Sequence, residues 1–290
     1  MHVSVVIGGG ISGLLTARKT GGLVIEEQSA LGGLYSAEDF QSLIIPGLPP
    51  FIHKEKELVE VFPKADIKEL NPRVKLFDDK HLKSKICPEC DQIPKWLIPD
   101  KFLYVRNFTE FLEDLSNGIR VVRGYPIKIG KNIIFTNRGS LEFKEIINTG
   151  SRVRLNALLG RAETLKNIGC LILSLRLRKK IQDWDILING KSGTTFSHVI
   201  GIYEEPLYYV YSFHVKGKLP DTERVILDMK RSGIIESKQD IISIRARYIQ
   251  ECILYGDKVK DSNISIKECG RLGTWENFSL NESIRSALEC

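Results

Sequence analysis

Val3-Ser4-Val5-Val6-Ile7-Gly8-Gly9-Gly10-Ile11-Ser12-Gly13, running on through Leu14 to Thr20 and then Leu23-Val24-Ile25-Glu26, carries the strongest structural signal in the chain. Val3 to Ile7 is an apolar, β-branched run and reads as a buried strand. Gly8, Gly10 and Gly13 follow in G-x-G-x-x-G spacing, Leu14 to Thr20 continue as a short helix, and Leu23 to Ile25 form a second strand ending on Glu26. The triplet alone would fit a glycine-rich β-turn with no ligand; strand, triplet, helix and second strand in order follow the logic of dinucleotide binding. Gly8 permits the tight turn, Gly10 lets the backbone approach a pyrophosphate, and Gly13 lets helix pack closely on strand. The helix N-terminus offers free N–H donors and a partial positive charge to phosphates. Glu26 stands 18 residues after Gly8, near the distance expected of a carboxylate that takes ribose hydroxyls. The expected fold is α/β, a Rossmann-like domain with a central parallel sheet, joined by a smaller β-rich domain.

The next turn, Leu31-Gly32-Gly33-Leu34-Tyr35, follows Glu26 by six and seven residues with a glycine pair. Two glycines let a loop pass a cofactor with no Cβ in the way. An acid followed by such a pair resembles the FAD-binding signature of the amine oxidase, protoporphyrinogen oxidase and UDP-galactopyranose mutase superfamily. Glu27 and Gln28 stand where that family has Lys and Arg. Near the other end, Gly270-Arg271-Leu272-Gly273-Thr274-Trp275, followed by Ser279-Leu280-Asn281-Glu282, resembles the C-terminal flavin motif of the mutases. Ser279 and Glu282 form an S-x-x-E capping box, so a helix is expected from about Leu280. Ile146-Ile147-Asn148-Thr149-Gly150 resembles a later strand of such domains. The resemblance covers about the first 50 residues, roughly 105 to 150, and the last 25. It implies FAD, bound by Gly8, Gly10, Ile11, Ser12, Gly13, Glu26, Glu27, Gly32, Gly33, Leu34, Tyr35, Thr149, Gly150, Gly270, Arg271, Ser279 and Leu280, with Arg271 beside the flavin.

The remaining chain is less explicit. The resemblance divides it into a discontinuous FAD-binding domain (1–53, 105–150 and 259–290), a short insertion (54–104) and a β-rich substrate-type domain (151–258). Helices are expected near Lys56–Phe62, Asn107–Asn117 and Thr222–Ser232. Short strands are expected at Arg120–Arg123, Ile127–Ile129, Asn132–Asn137 and Leu141–Phe143, then longer ones at Cys170–Leu177, Thr195–Tyr203, Tyr208–Val215 and within Asp240–Tyr255. Thr194-Thr195-Phe196-Ser197-His198-Val199-Ile200 resembles a substrate-domain segment of the family, with His198 in place of Arg. His198 is thus a candidate acid or base, against the plainer reading of a strand residue with a satisfied ring.

Cys87-Pro88-Glu89-Cys90 is the one C-x-x-C; Cys170, Cys252, Cys269 and Cys290 are isolated. No second pair exists to complete a four-ligand zinc site, so Cys87 and Cys90 are open between a zinc knuckle, including one completed by a symmetry mate, a redox or structural disulfide, and unpaired thiols; no metal is expected. At 290 residues with net charge +6, the chain has scattered Lys and Arg and no aromatic-interleaved basic stripe, which argues against nucleic acid. No apolar run reaches the length of a bilayer, and the N-terminus reads as a core strand, so no transmembrane segment and a cytoplasmic location are expected. The many Lys, Arg, Glu and Ile residues beside only 2 Met suit a thermophile.

The family's large helical substrate section has only about 50 residues in its place, between the early segment and the Asn107 helix, so its substrate-binding residues have no counterparts here. Three function classes stay open. One is a compact FAD-dependent oxidoreductase passing a hydride from a small organic substrate to flavin N5. The second is a mutase-like flavin isomerase; the third is a non-catalytic FAD-binding subunit shielded by a redox partner protein. A homo-oligomer is compatible with each.

Overall fold

In the computed structural model, which describes all residues except 1–2, 98–101, 202–203, 216–217, 219 and 259–265, β1 (Val3–Ile7), α1 (Ile11–Thr20) and β2 (Leu23–Glu26) follow one another as the sequence implies. α1 starts three residues before Leu14. Gly10, in extended conformation, is its N-cap, and the Gly10 carbonyl accepts from Leu14 N at 2.9 Å. Gly21 ends the helix at φ 63°, and Gly22 N returns to Ala17 O at 2.9 Å, the left-handed stop that glycine makes without a Cβ penalty.

Further elements join this unit: α2 (Phe108–Ser116), β3 (Arg120–Arg123), β4 (Gly139–Asn148), β5 (Ile266–Glu268), α3 (Gly270–Thr274) and α4 (Leu280–Glu289). β3, β2, β1, β4 and β5 lie side by side in that order, each neighbouring pair parallel. Parallel strands are covered on both faces, which explains why Val5 and Val6, Val24 and Ile25, and Ile146 and Ile147 are all buried. The short strand expected at Leu141–Phe143 and the later one at Ile146 are a single ten-residue strand. No turn residue separates them; the first half of β4 pairs antiparallel with the hairpin Pro126–Ile129/Ile133–Thr136, and the second half pairs with β1. One hydrophobic core of the unit joins Leu14 and Leu15 of α1, Phe108, Phe111, Leu112 and Leu115 of α2, and Leu280, Ile284 and Ala287 of α4. Each such burial stabilises by about 1.5–3 kcal/mol.

The chain divides into two units: Met1–Glu69, Phe102–Leu165 and Tyr255–Cys290 form the first, Leu70–Lys101 and Lys166–Leu254 the second. The segment 54–104 therefore forms no unit of its own. Leu58 and Phe62 bury in the core of the first unit, whereas Val74–Asp78 becomes an edge strand of the second. Likewise 151–165 and 255–258 fall in the first unit rather than with the β-rich segment.

The second unit is built on a six-stranded sheet ordered Ile241–Asp257, Thr164–Leu177, Leu207–Val215, His198–Ile200, Ile186–Asn189, Val74–Asp78. The strand expected over Thr195–Tyr203 shortens to three residues, and its last two positions lie outside the described residues. The sequence does not signal the strand Ile186–Asn189, because four apolar or amide residues between charged loops give no period to read. The helix Thr222–Arg231, capped by Asp221 on Glu223 N at 3.0 Å, lays Val225, Ile226 and Met229 into the core. Among the described residues no helix is long and apolar enough to cross a membrane.

Candidate functional site

The carboxyl ends of β1, β2, β4 and β5 share one edge of the parallel sheet, where open α/β sheets take their ligands. Gly8 leaves β1 at φ 100°, held by its N–H on Ile25 O at 2.9 Å. A Cβ there would lie 2.8 Å from Gly150 N, so only glycine lets the β1 and β4 turns approach this closely. Thr149 locks that approach, its N and Oγ1 both donating to Ile7 O at 2.9 Å. Gly13 is tighter still: a Cβ would sit 1.9 Å from Gly8 O and 2.6 Å from Thr149 Oγ1.

Gly10 behaves differently. The nearest atom to a Cβ built on it is Gly33 Cα, at 4.0 Å, while a Cβ on Gly33 would meet Gly10 Cα at 3.1 Å. Gly10 and Gly32 form an isolated parallel bridge, and Gly32 N donates to Gly9 O at 2.9 Å. The two glycine turns thus face each other backbone to backbone, with open space where a side chain on Gly10 would stand. α1 begins there with no side-chain cap and no acidic residue in its first turn, so its N-terminal dipole is uncompensated.

Glu26, buried at the end of β2, accepts from Gly9 N at 2.5 Å through Oε2 and from Gln28 N at 2.6 Å through Oε1. One carboxylate therefore fixes the glycine turn and the following loop. Each oxygen keeps a second lone pair for a further donor. Glu27 is ion-paired to Arg154 at 2.5 Å, so a cation from the helix Arg152–Leu159 comes to a segment where the sequence places none.

The C-terminal motif closes on the same turns. Cys269 N donates to Asn148 O and Gly270 N to Ser286 Oγ, both at 2.9 Å; Ser12 Oγ donates to Ser283 O at 2.9 Å. Gly270, at φ 70°, abuts Ser12, and Gly273 abuts Asn148 O. Gly270 to Thr274 form a one-turn helix not foreseen from the sequence. Ser279 caps α4 with Glu282 as expected, Ser279 N donating to Glu282 Oε2 at 2.8 Å. Ser279 Oγ is thereby committed to the cap. Leu280 is buried in the core, and Asn281 accepts from His53 N at 2.7 Å. Arg271 lies close enough to Tyr35 to oppose the rise in its phenol pKa that burial causes; Tyr35 also packs its ring on Phe108 at 5.4 Å.

Arg152 ties two of these turns together from behind. It bridges Glu163 at 2.7 Å and Glu268, the last residue of β5; Arg161 bridges Glu268 at 3.1 Å. Nothing in sequence spacing marks this network, nor Ser283 and Ser286, because their partners are 100 or more residues away in most cases.

His198 belongs to the second unit and is buried. Its Nδ1 meets Ser197 Oγ at 2.9 Å and its Nε2 meets Leu97 O at 2.8 Å. Burial lowers its pKa to about 4, so the ring is neutral near pH 7. Cys87 and Cys90 form a disulfide, with Cα atoms 5.4 Å apart, which selects one of the three readings open for that pair. Cys269 and Cys290, isolated in sequence, are paired in a second disulfide. Cys170 and Cys252 are buried and lie outside either disulfide. Among the described residues no cluster of three metal-ligating side chains occurs.

No family model and no curated protein matches the sequence. Solved structures do match over nearly the whole chain. A protein of Exiguobacterium sp. 255-15 assigned as a protoporphyrinogen oxidase aligns with TM-score 0.71 at 10% identity, covering 99% of this chain and 97% of that one. A reduced UDP-galactopyranose mutase aligns with TM-score 0.72 at 10% identity, covering 100% and 94%. An oxidoreductase of Methanosarcina mazei aligns with TM-score 0.63 at 13% identity, covering 99% and 100%. The chain therefore has the fold of the protoporphyrinogen oxidase and UDP-galactopyranose mutase structures, the fold expected from its two terminal motifs.

Proposed function

We propose that this chain binds FAD non-covalently at the carboxyl edge of the parallel sheet and is an FAD-dependent oxidoreductase acting on a small organic substrate. The observation that carries the reading is the Gly10/Gly33 approach: two bare backbones, open where a Cβ on Gly10 would stand, beside the uncapped start of α1. A diphosphate fits that cradle on steric and electrostatic grounds. Glu26 would take ribose hydroxyls with its remaining lone pairs, and Gly32 and Gly33 would let the loop follow the cofactor. FAD held there supplies a two-electron acceptor at N5. The chain's own contribution is then charge placement: Arg271, beside Tyr35, puts a guanidinium near the one-turn helix that packs on Ser12, favouring negative charge nearby.

The isomerase reading has one observation in its favour. Arg245 and Arg247 alternate along Ile241–Asp257 and so share one face of the β-rich unit, and burial depresses the Arg247 pKa. Two guanidiniums at that spacing suit a substrate bearing phosphate. The shielded-subunit reading would be supported by an apolar face over Ile44 to Ile52, but there Ile44 is 62% exposed while Ile45 and Ile52 are buried.

The absorbance spectrum of the purified protein tests the cofactor, with chromatography of the supernatant after denaturation. FAD in the supernatant is expected. A colourless protein that takes up no added FAD at micromolar concentration rejects the reading. Anaerobic mixing with candidate donors then separates the classes: bleaching by an organic donor supports the oxidoreductase, and turnover of a nucleotide-sugar only after prior reduction supports the isomerase.

A further inference from the structure

Cys290 closes α4, and its disulfide partner Cys269 is the N-cap of α3, directly before Gly270 and Arg271. The bond therefore spans the whole C-terminal motif, joining the residue just before Gly270 to the end of the helix that follows. Both ends are also tied to the glycine turns. Cys269 N donates to Asn148 O, while α4 accepts twice, from Ser12 Oγ on Ser283 O and from Gly270 N on Ser286 Oγ. Cys269 is 5% exposed, whereas Cys290 is partly open to solvent, so an attacking thiolate reaches the bond from the Cys290 side. The other disulfide offers no such approach, with Cys87 fully buried and Cys90 6% exposed.

We infer that the Cys269–Cys290 disulfide is a redox latch on the cofactor site, its reduction loosening the Gly270–Thr274 turn and weakening cofactor retention. The inference rests on the FAD reading above. The reductant is a dithiol. One of its thiolates attacks Cys290 Sγ and expels the Cys269 thiolate; its second thiol then displaces Cys290 from the mixed disulfide. The dithiol leaves as a cyclic disulfide, and two electrons and two protons remain on Cys269 and Cys290. Freed of the bond, Cys269 keeps its backbone bond to Asn148 but loses the link that fixes the entry to the motif to the end of α4. The folded motif samples more conformations, and cofactor that binds only the closed one is held less tightly.

The test uses the full chain, oxidised or treated with dithiothreitol under native conditions, with Cys290→Ser and Cys87→Ser alongside. After removal of dithiothreitol, thiol titration in denaturant should give two more thiols than the untreated protein, since the Cys87–Cys90 bond is shielded from the reductant in the native fold. FAD affinity, read by flavin fluorescence, should fall about tenfold on reduction and in Cys290→Ser, and stay within twofold in Cys87→Ser. Amide hydrogen exchange over residues 270–289 should quicken in the same two samples, with or without FAD. Reduction that releases two thiols while exchange and affinity are unchanged overturns the latch. Exchange that quickens on reduction in a protein that never binds FAD rejects the cofactor reading and leaves the mechanical latch standing.

Discussion

Adding a methyl group at Gly13 and a larger side chain at Gly10 should fail for opposite reasons. At Gly13 the new Cβ would stand 1.9 Å from Gly8 O, a backbone atom pinned by the β1 turn, and 2.6 Å from Thr149 Oγ1. A carbon and an oxygen need more than 3 Å, so α1 or the turn must move by over an ångström. Neither is loose: Thr149 is bonded to Ile7 O, and α1 buries Leu14 and Leu15 in the core. Overpacking of this kind costs about 3 kcal/mol, which in a chain of this size lowers Tm by roughly 6–12 °C. At Gly10 the backbone is extended (φ −71°, ψ 177°), open to any L-residue, and the nearest atom to a Cβ is 4.0 Å away. Gly10→Val should therefore cost only about 1 kcal/mol, for the poorer N-cap. It fills the space where the diphosphate would lie, so FAD affinity should drop at least about a hundredfold. Thermal unfolding of the two apoproteins and FAD titration of each provide the measurements. Wild-type FAD affinity in Gly10→Val, or wild-type Tm in Gly13→Ala, would refute the assignment of these two glycines.

Glu26→Gln presents an NH2 to either Gly9 N or Gln28 N, leaving a buried donor facing a donor; stability should fall by about 1–3 kcal/mol and FAD binding weaken with it, measured by urea unfolding and titration. Arg271→Ala should lower the flavin midpoint potential by about 20–40 mV, since it removes a cation that stabilises the anionic reduced state; an unchanged potential on redox titration would leave Arg271 structural. Gln41 and Ser42 both hold left-handed conformations (φ 52° and 67°) in the hairpin between Ala37–Phe40 and Leu43–Pro46. Replacing them with Asn-Gly should stabilise by about 1 kcal/mol, read as a higher Tm in calorimetry. His198, with its folded pKa depressed to about 4, is neutral when folded, so the unfolded chain binds more protons between about pH 6.5 and 4. Its share of stability, up to about 3 kcal/mol, should be present above pH 6.5 and lost as pH falls through that window, and His198→Asn should flatten that part of the pH profile of urea unfolding.

The part of this protein legible in its residue order is local. The order strand, Gly8/Gly10/Gly13, helix, strand, Glu26 is set by backbone sterics and apolar periodicity within 26 residues, and the Ser279/Glu282 cap by hydrogen bonding within one turn. Such interactions act over neighbouring residues, so their pattern is written in the spacing. Tertiary packing settles how distant stretches meet. It pairs Cys269 with Cys290, brings Arg154 to Glu27, joins Arg152 to Glu163 and Glu268, and divides 54–104 between two units. Those contacts depend on which strand ends share an edge of the sheet, and strand order is a property of the packed core rather than of any single segment. His198 shows the same limit: its residue type allowed acid–base chemistry, and the burial that holds it neutral comes from strands that meet only in the folded chain.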